Sequence, residues 1–246
     1  MKDLAAFEPK RILVCQQRQI GDVLLATPVF AALRKRFPEA ELHIMTEPKC
    51  EPLLRGNPDI DVFHLIDKKG GLFRQLAFYR GIAALGIDLV VNLQQLPRCR
   101  MMTMLSGAPV RLSFSTSFLK DLIYTHTRPE KKGYACMSKV ALLEGLGITW
   151  NGEPPRIFLS DGEMAAARAL LESCGMKPGE RLITIDATHR RASKRWPGES
   201  YSELMRMLAG HDPSLRFMLL RGPGEDGELA WLRRSCPAAG RFIIPD

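Results

Sequence analysis

The chain alternates between short apolar runs and longer segments whose apolar residues recur at helical spacing. Short apolar runs are typical of strands buried in a parallel sheet, and helical spacing indicates the helices that connect them. Such runs, or apolar residues that alternate with polar ones, predict strands at residues 12–15, 41–46, 61–66, 88–93 and 110–114. The spacing predicts helices at residues 22–33, 48–56, 72–85, 101–105 and 134–146, with a loop at 118–133. This alternation predicts an α/β fold with a doubly wound parallel sheet.

A second unit is predicted beyond the Gly- and Pro-containing stretch at residues 151–155, the strongest linker signal in the chain. The same patterns continue there, with strands predicted at 181–186, 215–220 and 242–244 and helices at 161–174, 199–208 and 228–235. We therefore predict two Rossmann-like domains, at residues 1–155 and 156–246. The second is small for an independent nucleotide-binding half, so we predict that it is incomplete.

Asp22 is the first candidate for chemistry because it follows a predicted buried strand, in the first turn of a helix that starts beside Gly21. In open α/β sheets, ligands bind at the carboxyl ends of the strands, and a helix N-terminus favours a negative charge. Pro28 lies inside the same predicted helix, where a proline costs about 3 kcal/mol, which indicates that the geometry of these turns matters. The alternative is that Asp22 only satisfies free backbone N–H groups.

Positive charge is concentrated in one part of the chain. The whole chain has a net charge of +8, whereas residues 68–139 contain twelve lysines and arginines against three acidic residues, a net charge of +9. This segment is either a solvated basic face or a surface for phosphate groups, anionic lipid or nucleic acid. An apolar cluster lies between its arginines and either packs in the core or touches lipid. The cluster consists of Met101, Met102, Met104 and Leu105.

A second polar loop, at residues 187–197, joins a predicted strand to a predicted helix and contains a run of basic side chains. Lysine and arginine beside a helix N-terminus attract phosphate, so the loop predicts an anion site. The alternative is a solvated basic loop.

Composition and motif content exclude several classes of protein. With 46% hydrophobic and 25% charged residues, the chain is typical of globular proteins. Its six cysteines form no CxxC pair, which indicates neither a zinc site nor a disulfide framework and fits a reducing cytoplasm. The sequence shows neither a signal peptide nor eighteen consecutive apolar residues, so we expect a cytoplasmic protein. No GxGxxG follows the first strand, which disfavours dehydrogenase chemistry.

Several motifs are shared with one known family. The first is the pattern Arg18, Ile20, Gly21, Asp22, Leu24, Leu25, Thr27 and Pro28. The others are GIDLVVNLQ at residues 86–94, LSGAPVRLSF at residues 105–114, and Lys194, Trp196 and Pro197 as Lys-x-Trp-Pro. Together they resemble the motifs of glycosyltransferase family 9, the lipopolysaccharide heptosyltransferases.

This resemblance implies a GT-B type fold of two Rossmann-like domains, the first binding the acceptor and the second binding the sugar nucleotide. It implies that Asp22 is the general base. The donor-binding candidates are Lys194 on the phosphates, Thr188 and His189 as weaker candidates, and Glu225 near the nucleotide. The acceptor-binding candidates are Arg18, Arg98, Arg100, Arg111 and Lys120.

The implied reaction moves a heptose from ADP-heptose to the lipid A-Kdo inner core of lipopolysaccharide, with inversion at the anomeric carbon. The resemblance further implies a peripheral location on the inner face of the inner membrane, no metal, no cofactor and no nucleic-acid partner. Chains of the family continue into an Asp-[Thr/Ser]-Gly…His segment that holds the nucleotide diphosphate, and nothing in this sequence matches it. We therefore expect a C-terminal truncation, with activity reduced or lost.

The alternative is a non-catalytic Rossmann-type module that binds nucleotides or nucleic acid, which fits the basic segment. RNA recognition predicts aromatic side chains interleaved with basic ones. The aromatic residues of the segment instead occupy positions that core packing explains, so this alternative ranks second. They include Phe73, Phe78, Tyr79, Phe114 and Phe118.

Overall fold

The computed structural model describes residues 4–67, 69–117, 121–189, 191–220, 222, 224–236 and 239–244. Its internal contacts divide the chain into two compact units, Met1–Phe158 and Leu159–Asp246. The domain boundary predicted after residue 155 lies near this division. The two units are described separately below.

The first unit is built on a six-stranded parallel sheet in the order β3-β2-β1-β4-β5-β6. Its strands are β1 (Arg11–Cys15), β2 (Glu41–Thr46), β3 (Val62–Leu65), β4 (Leu89–Asn92), β5 (Val110–Phe114) and β6 (His126–Arg128). In the centre, Val14 pairs with Ile44 on one side and with Val91 on the other. β6 lies in the segment predicted as a loop, because three polar residues at the sheet edge carry no apolar pattern.

Helices cover both faces of this sheet. They are α1 (Ile20–Leu24), α2 (Thr27–Arg36), α3 (Glu51–Leu54), α4 (Leu72–Ala83), α5 (Pro97–Leu105) and α6 (Ala135–Ala141). On one face, Phe30 and Leu33 of α2 pack with Val14. On the other, Tyr79 of α4 and Met102 of α5 pack with strand residues that point the opposite way. The predicted doubly wound α/β arrangement is therefore confirmed.

The prediction of one continuous helix after Gly21 was wrong. α1 ends at Leu24, and α2 begins at Thr27 with Pro28 in its first turn. A proline in the first turn blocks no intrahelical hydrogen bond, so the cost assigned to Pro28 does not arise. Its presence marks a helix start and says nothing about the chemistry of Asp22.

The second unit contains two parallel strands, β7 (Arg181–Ile185) and β8 (Leu215–Leu219). Its helices are α7 (Asp161–Ser173), α8 (Gly198–His211) and α9 (Asp226–Ser235). α7 is capped by Ser160 in a reciprocal capping box with Glu163. A third strand predicted at 242–244 is reduced to a single bridge between Phe217 and Phe242.

A pair of histidines lies between β2 and β3 in the first unit. His43 Nδ1 is 2.9 Å from His64 Nε2, and the rings stack with centroids 5.2 Å apart. His43 is buried, and its Nε2 is 3.1 Å from a carboxylate oxygen of Glu41. Burial, together with the charge of His43, lowers the pKa of His64 to about 4, although Glu41 acts in the opposite direction.

We predict that His64→Gln makes stability less sensitive to acid. An unfolded histidine titrates near pH 6.5, whereas folded His64 has a pKa of about 4. Between these values the unfolded state binds more protons, so stability falls as the pH is lowered through this window. In urea titrations, the free energy of unfolding should fall more steeply for the wild type than for the variant between pH 6.5 and 4. Parallel curves would contradict the prediction.

Candidate functional site

The first unit has a switch point at the carboxyl ends of β1 and β4. The chain extends the sheet from β1 towards β2 and β3, and later from β1 in the opposite direction towards β4 and β5. The loops that leave β1 and β4 therefore diverge and leave a crevice, which is where open α/β sheets bind ligands. The motif residues after β1 and after β4 face this point.

Gln94 fastens the two loops of the switch point together. Its Oε1 accepts hydrogen bonds from the backbone N–H groups of Gln17, at 3.1 Å, and Arg18, at 2.9 Å. Its Nε2 also donates to the carbonyl oxygen of Arg18. One side chain after β4 therefore holds the turn that leads from β1 into α1.

Asp22 lies just after the turn that Gln94 holds between β1 and α1. It lies in the first turn of α1, where the backbone N–H of Val23 donates to Gln19 at 3.0 Å. Val23 is fully buried and anchors the helix, while Asp22 is exposed. An exposed carboxylate at a switch point can accept a proton from a bound hydroxyl group.

Lys139 is a cation near Asp22 that the sequence analysis did not select. Its Nζ donates a 2.9 Å hydrogen bond to Oε1 of Gln16, a fully buried residue that follows β1. Burial lowers the pKa of Lys139, whereas the charges of Asp22 and Glu130 act in the opposite direction. No sequence pattern singles out Lys139, because its hydrogen bond joins residues that are far apart in the chain.

Arg18, Arg98 and Arg100 lie at the same edge of the sheet. Arg18 follows β1 and is exposed, and the other two are half-buried in the first turn of α5. The sequence pattern predicted a helix only from residue 101, but α5 begins at Pro97. The two guanidinium groups are therefore positioned by a helix.

The other two acceptor candidates are not brought to this edge by the described structure. Arg111 lies near the start of β5, where its guanidinium donates to the carbonyl oxygens of Ile123, at 2.7 Å, and Ala108, at 2.6 Å. That end of a parallel strand is opposite to the ligand-binding edge. Lys120 lies outside the described residues.

A buried polar network fixes α5 against the strand ends. Asn92 Nδ2 donates to the hydroxyl groups of Thr103, at 3.1 Å, and Tyr124, at 3.0 Å. Ser113 Oγ donates to the carbonyl oxygen of Asn92 at 3.0 Å. Burial raises the pKa of Tyr124 to about 12, so its hydroxyl stays protonated. Because Thr103 belongs to α5, the network holds the helix that carries Arg98.

In the second unit, the structure brings Thr188 and Glu225 together at the carboxyl ends of β7 and β8. The Thr188 hydroxyl and the backbone N–H of Gly222 both donate to the Glu225 carboxylate, the latter at 2.6 Å. These hydrogen bonds, with smaller effects from Arg195 and His189, lower the pKa of Glu225. Glu225 therefore links the loop that follows β8 to the loop that follows β7.

The basic loop of the second unit wraps around this pair. Arg195 Nε donates to the carbonyl oxygen of His189, which folds the loop back on itself. Lys194 ends the one-turn helix Ala192–Lys194, and its side chain is exposed. Of the predicted donor residues, Thr188, His189 and Lys194 therefore lie on this loop, and Glu225 lies at the same edge of the strands.

A cavity of about 350 Å³ opens beside this loop. Its wall includes Thr188, Arg195 and the rings of Trp196 and Trp231. A Cβ atom on Gly198 would lie 2.4 Å from the Trp231 ring, so glycine is required for this close packing. The cavity is large enough for part of a nucleotide.

Two curated proteins match most of the chain. Lipopolysaccharide heptosyltransferase 3 of Escherichia coli is 26% identical over 215 residues, covering 84% of this chain and 62% of that protein. The protein of the same name from strain K12 is 26% identical over 227 residues, covering 85% of this chain and 62% of that protein. The chain resembles the lipopolysaccharide heptosyltransferases. It spans about 62% of the length of these relatives, and no protein-family model matches it.

Solved structures of heptosyltransferases share the fold. A glycosyl transferase of family 9 from Veillonella parvula superposes with a TM-score of 0.82 and 24% identity, covering 92% of this chain and 67% of that one. E. coli ADP-heptose heptosyltransferase II superposes with a TM-score of 0.76 and 16% identity, covering 94% of this chain and 71% of that one. E. coli heptosyltransferase WaaC with ADP-2-deoxy-2-fluoro heptose superposes with a TM-score of 0.70 and 19% identity, covering 96% of this chain and 76% of that one. The predicted GT-B type α/β fold class is therefore confirmed.

In the described part of this heptosyltransferase-like chain, no helix combines the length and apolar character needed to cross a membrane.

Proposed function

We propose that the protein is an inverting glycosyltransferase that moves a heptose from ADP-heptose to the inner core of lipopolysaccharide. The observation that carries the proposal is the exposed carboxylate of Asp22 at the switch point, within a motif shared with the heptosyltransferases. Both curated relatives are lipopolysaccharide heptosyltransferases, and one solved neighbour holds an ADP-heptose analogue.

In this mechanism Asp22 accepts the proton of the acceptor hydroxyl as that oxygen forms its bond to the anomeric carbon of the heptose. The bond from that carbon to the diphosphate breaks on the opposite face, and the configuration inverts. ADP leaves with the bonding electron pair, and its growing negative charge requires cations. Lys194 and Arg195 supply them, and the carboxylate of Glu225 binds the ribose.

The acceptor is a lipid A-Kdo molecule, whose phosphates and carboxylates match the arginines at the switch point. Arg18 follows β1, and Arg98 and Arg100 lie in the helix that follows β4, at the edge that presents Asp22. Arg111 is left out because its guanidinium binds backbone carbonyl oxygens elsewhere. We further propose that residues 1–155 form the acceptor-binding domain and residues 156–246 the first part of the donor-binding domain, on the inner face of the inner membrane.

The proposal predicts that the donor selectively stabilises a form of the protein that spans the full length of the curated relatives, which restores the segment expected to hold the diphosphate. Because a ligand that binds only the folded state raises its unfolding temperature, ADP and ADP-heptose should raise the thermal midpoint, while UDP-sugars should leave it unchanged. Incubation with ADP-heptose and Kdo-bearing lipid A should then yield an acceptor heavier by one heptose in mass spectrometry. Equal responses to ADP- and UDP-sugars, with no product, would contradict the proposal.

A further inference from the structure

Leu72 and Phe73 are the two most exposed large apolar side chains in the described part of the chain. Leu72 is 79% exposed and Phe73 is 88% exposed. The sequence analysis assigned Phe73 to the core, and that prediction was wrong. Tyr79 and Ile82 on the same helix are buried, so the helix can bury apolar side chains and yet leaves this pair in solvent.

The pair is held in a defined position. It forms the first turn of α4, which is anchored by Tyr79 in the second core cluster. Gln75 closes the entry to the helix, with its Nε2 donating to the carbonyl oxygen of Gly70 at 2.8 Å. Since α4 follows β3, the pair projects at the carboxyl edge of the sheet, the edge that also presents Asp22.

The charges around the pair are mainly positive. Lys69 and Arg74 flank it in sequence, and Asp67 is the one acidic residue of the connection, where its carboxylate accepts a hydrogen bond from the backbone N–H of Lys69 at 2.8 Å. The neighbouring helix α5 contacts α4. It leaves Met101 42% exposed and Met104 54% exposed, next to Arg98 and Arg100 in sequence.

We propose that Leu72 and Phe73 insert into the surface of an anionic lipid bilayer, with Lys69 and Arg74 on the headgroup phosphates. This surface adds a defined contact to the membrane location in the proposed function, yet it depends only on the geometry of the first unit. Adjacent apolar side chains with a basic border suit the boundary between acyl chains and headgroups. Binding of an RNA strand would require several aromatic rings on which bases stack, and the exposed side chain of Leu72 has no ring for this purpose.

Vesicle binding without donor or acceptor tests the inference, so a failure of the transferase proposal does not affect it. The protein should co-sediment with vesicles of phosphatidylethanolamine and phosphatidylglycerol, more weakly at high salt and weakly with phosphatidylcholine alone. Replacing both residues, Leu72→Ser with Phe73→Ser, should lower the partition coefficient about tenfold or more. Lys69→Gln with Arg74→Gln should weaken binding and reduce its dependence on salt.

Leu85→Ser is the matched control, because Leu85 is an exposed leucine just beyond the opposite end of α4. It should bind vesicles as the wild type does. A Phe73→Trp variant gives a direct signal: vesicles should shift its added emission to the blue, and brominated acyl chains should quench it, unlike that of Leu85→Trp.

Several outcomes would overturn the inference. One is that the double serine variant sediments with vesicles as much as the wild type does, and another is that Leu85→Ser loses as much vesicle binding as the double serine variant. A third is that the wild type fails to bind vesicles. A dimer in sedimentation velocity that the double serine variant dissociates would assign the pair to self-association. Binding of single-stranded RNA that depends on Phe73, without vesicle binding, would assign it to nucleic acid.

Discussion

Asp22→Asn, made in a form of the protein that spans the full length of the curated relatives, should lower the rate of heptosyl transfer by about 10²- to 10⁴-fold, the usual contribution of a general base. The amide keeps the size of the side chain but cannot accept the proton of the acceptor hydroxyl. Asp22 is exposed, whereas neighbouring Val23 holds α1 in place, so the substitution should leave the fold unchanged. Affinity for ADP-heptose should remain close to that of the wild type, because the proposed donor-binding residues lie in the second unit.

Initial rates with Kdo-bearing lipid A measure the first effect, and titration calorimetry with ADP-heptose measures the second. Glu39→Gln is a suitable control, since Glu39 is an exposed carboxylate of the same unit that precedes β2. It should transfer heptose at the wild-type rate. Turnover of Asp22→Asn within a few fold of the wild type would remove Asp22 from the mechanism.

Lys194→Ala should weaken the binding of ADP-heptose by roughly tenfold to a hundredfold, as expected for the loss of one charge-assisted contact with a diphosphate. Lys194 is exposed at the end of its one-turn helix, so its removal should cost little stability. The effect should be smaller for adenosine, which has no phosphate for the ammonium to bind.

Calorimetric titration of ADP-heptose, ADP and adenosine separates these contributions. Lys177→Ala is the matched control, because Lys177 is an exposed lysine of the same unit outside the basic loop. Equal donor affinity for Lys194→Ala and the wild type would place the phosphate site elsewhere, and equal weakening by Lys177→Ala would indicate a general effect of charge.

The pattern of the sequence was sufficient for the framework of the molecule. Strands such as Glu41–Thr46 and Val110–Phe114 were predicted at their observed bounds, because apolar residues alternate with polar ones along both of them. The alternation of strands and helices then led to the doubly wound sheet. It also placed Asp22 at a carboxyl edge, since the order of elements decides which loops follow strands.

Pattern alone could not reveal which side chains meet across the fold. Lys139 is more than a hundred residues from Gln16, and the hydrogen bond between them exists only because α6 packs near the end of β1. Arg111 looked like the other arginines in sequence, but its position near the start of β5 turns it towards backbone carbonyl oxygens.

The sequence by itself determined the α/β class, the order of the elements and the loops that carry polar motifs, because these follow from periodicity and turn residues. Only the tertiary structure decided that residues 126–128 form an edge strand and that Phe73 faces solvent. Each of these depends on contacts between distant segments. Local patterns cannot encode them, because burial is a property of the assembled fold.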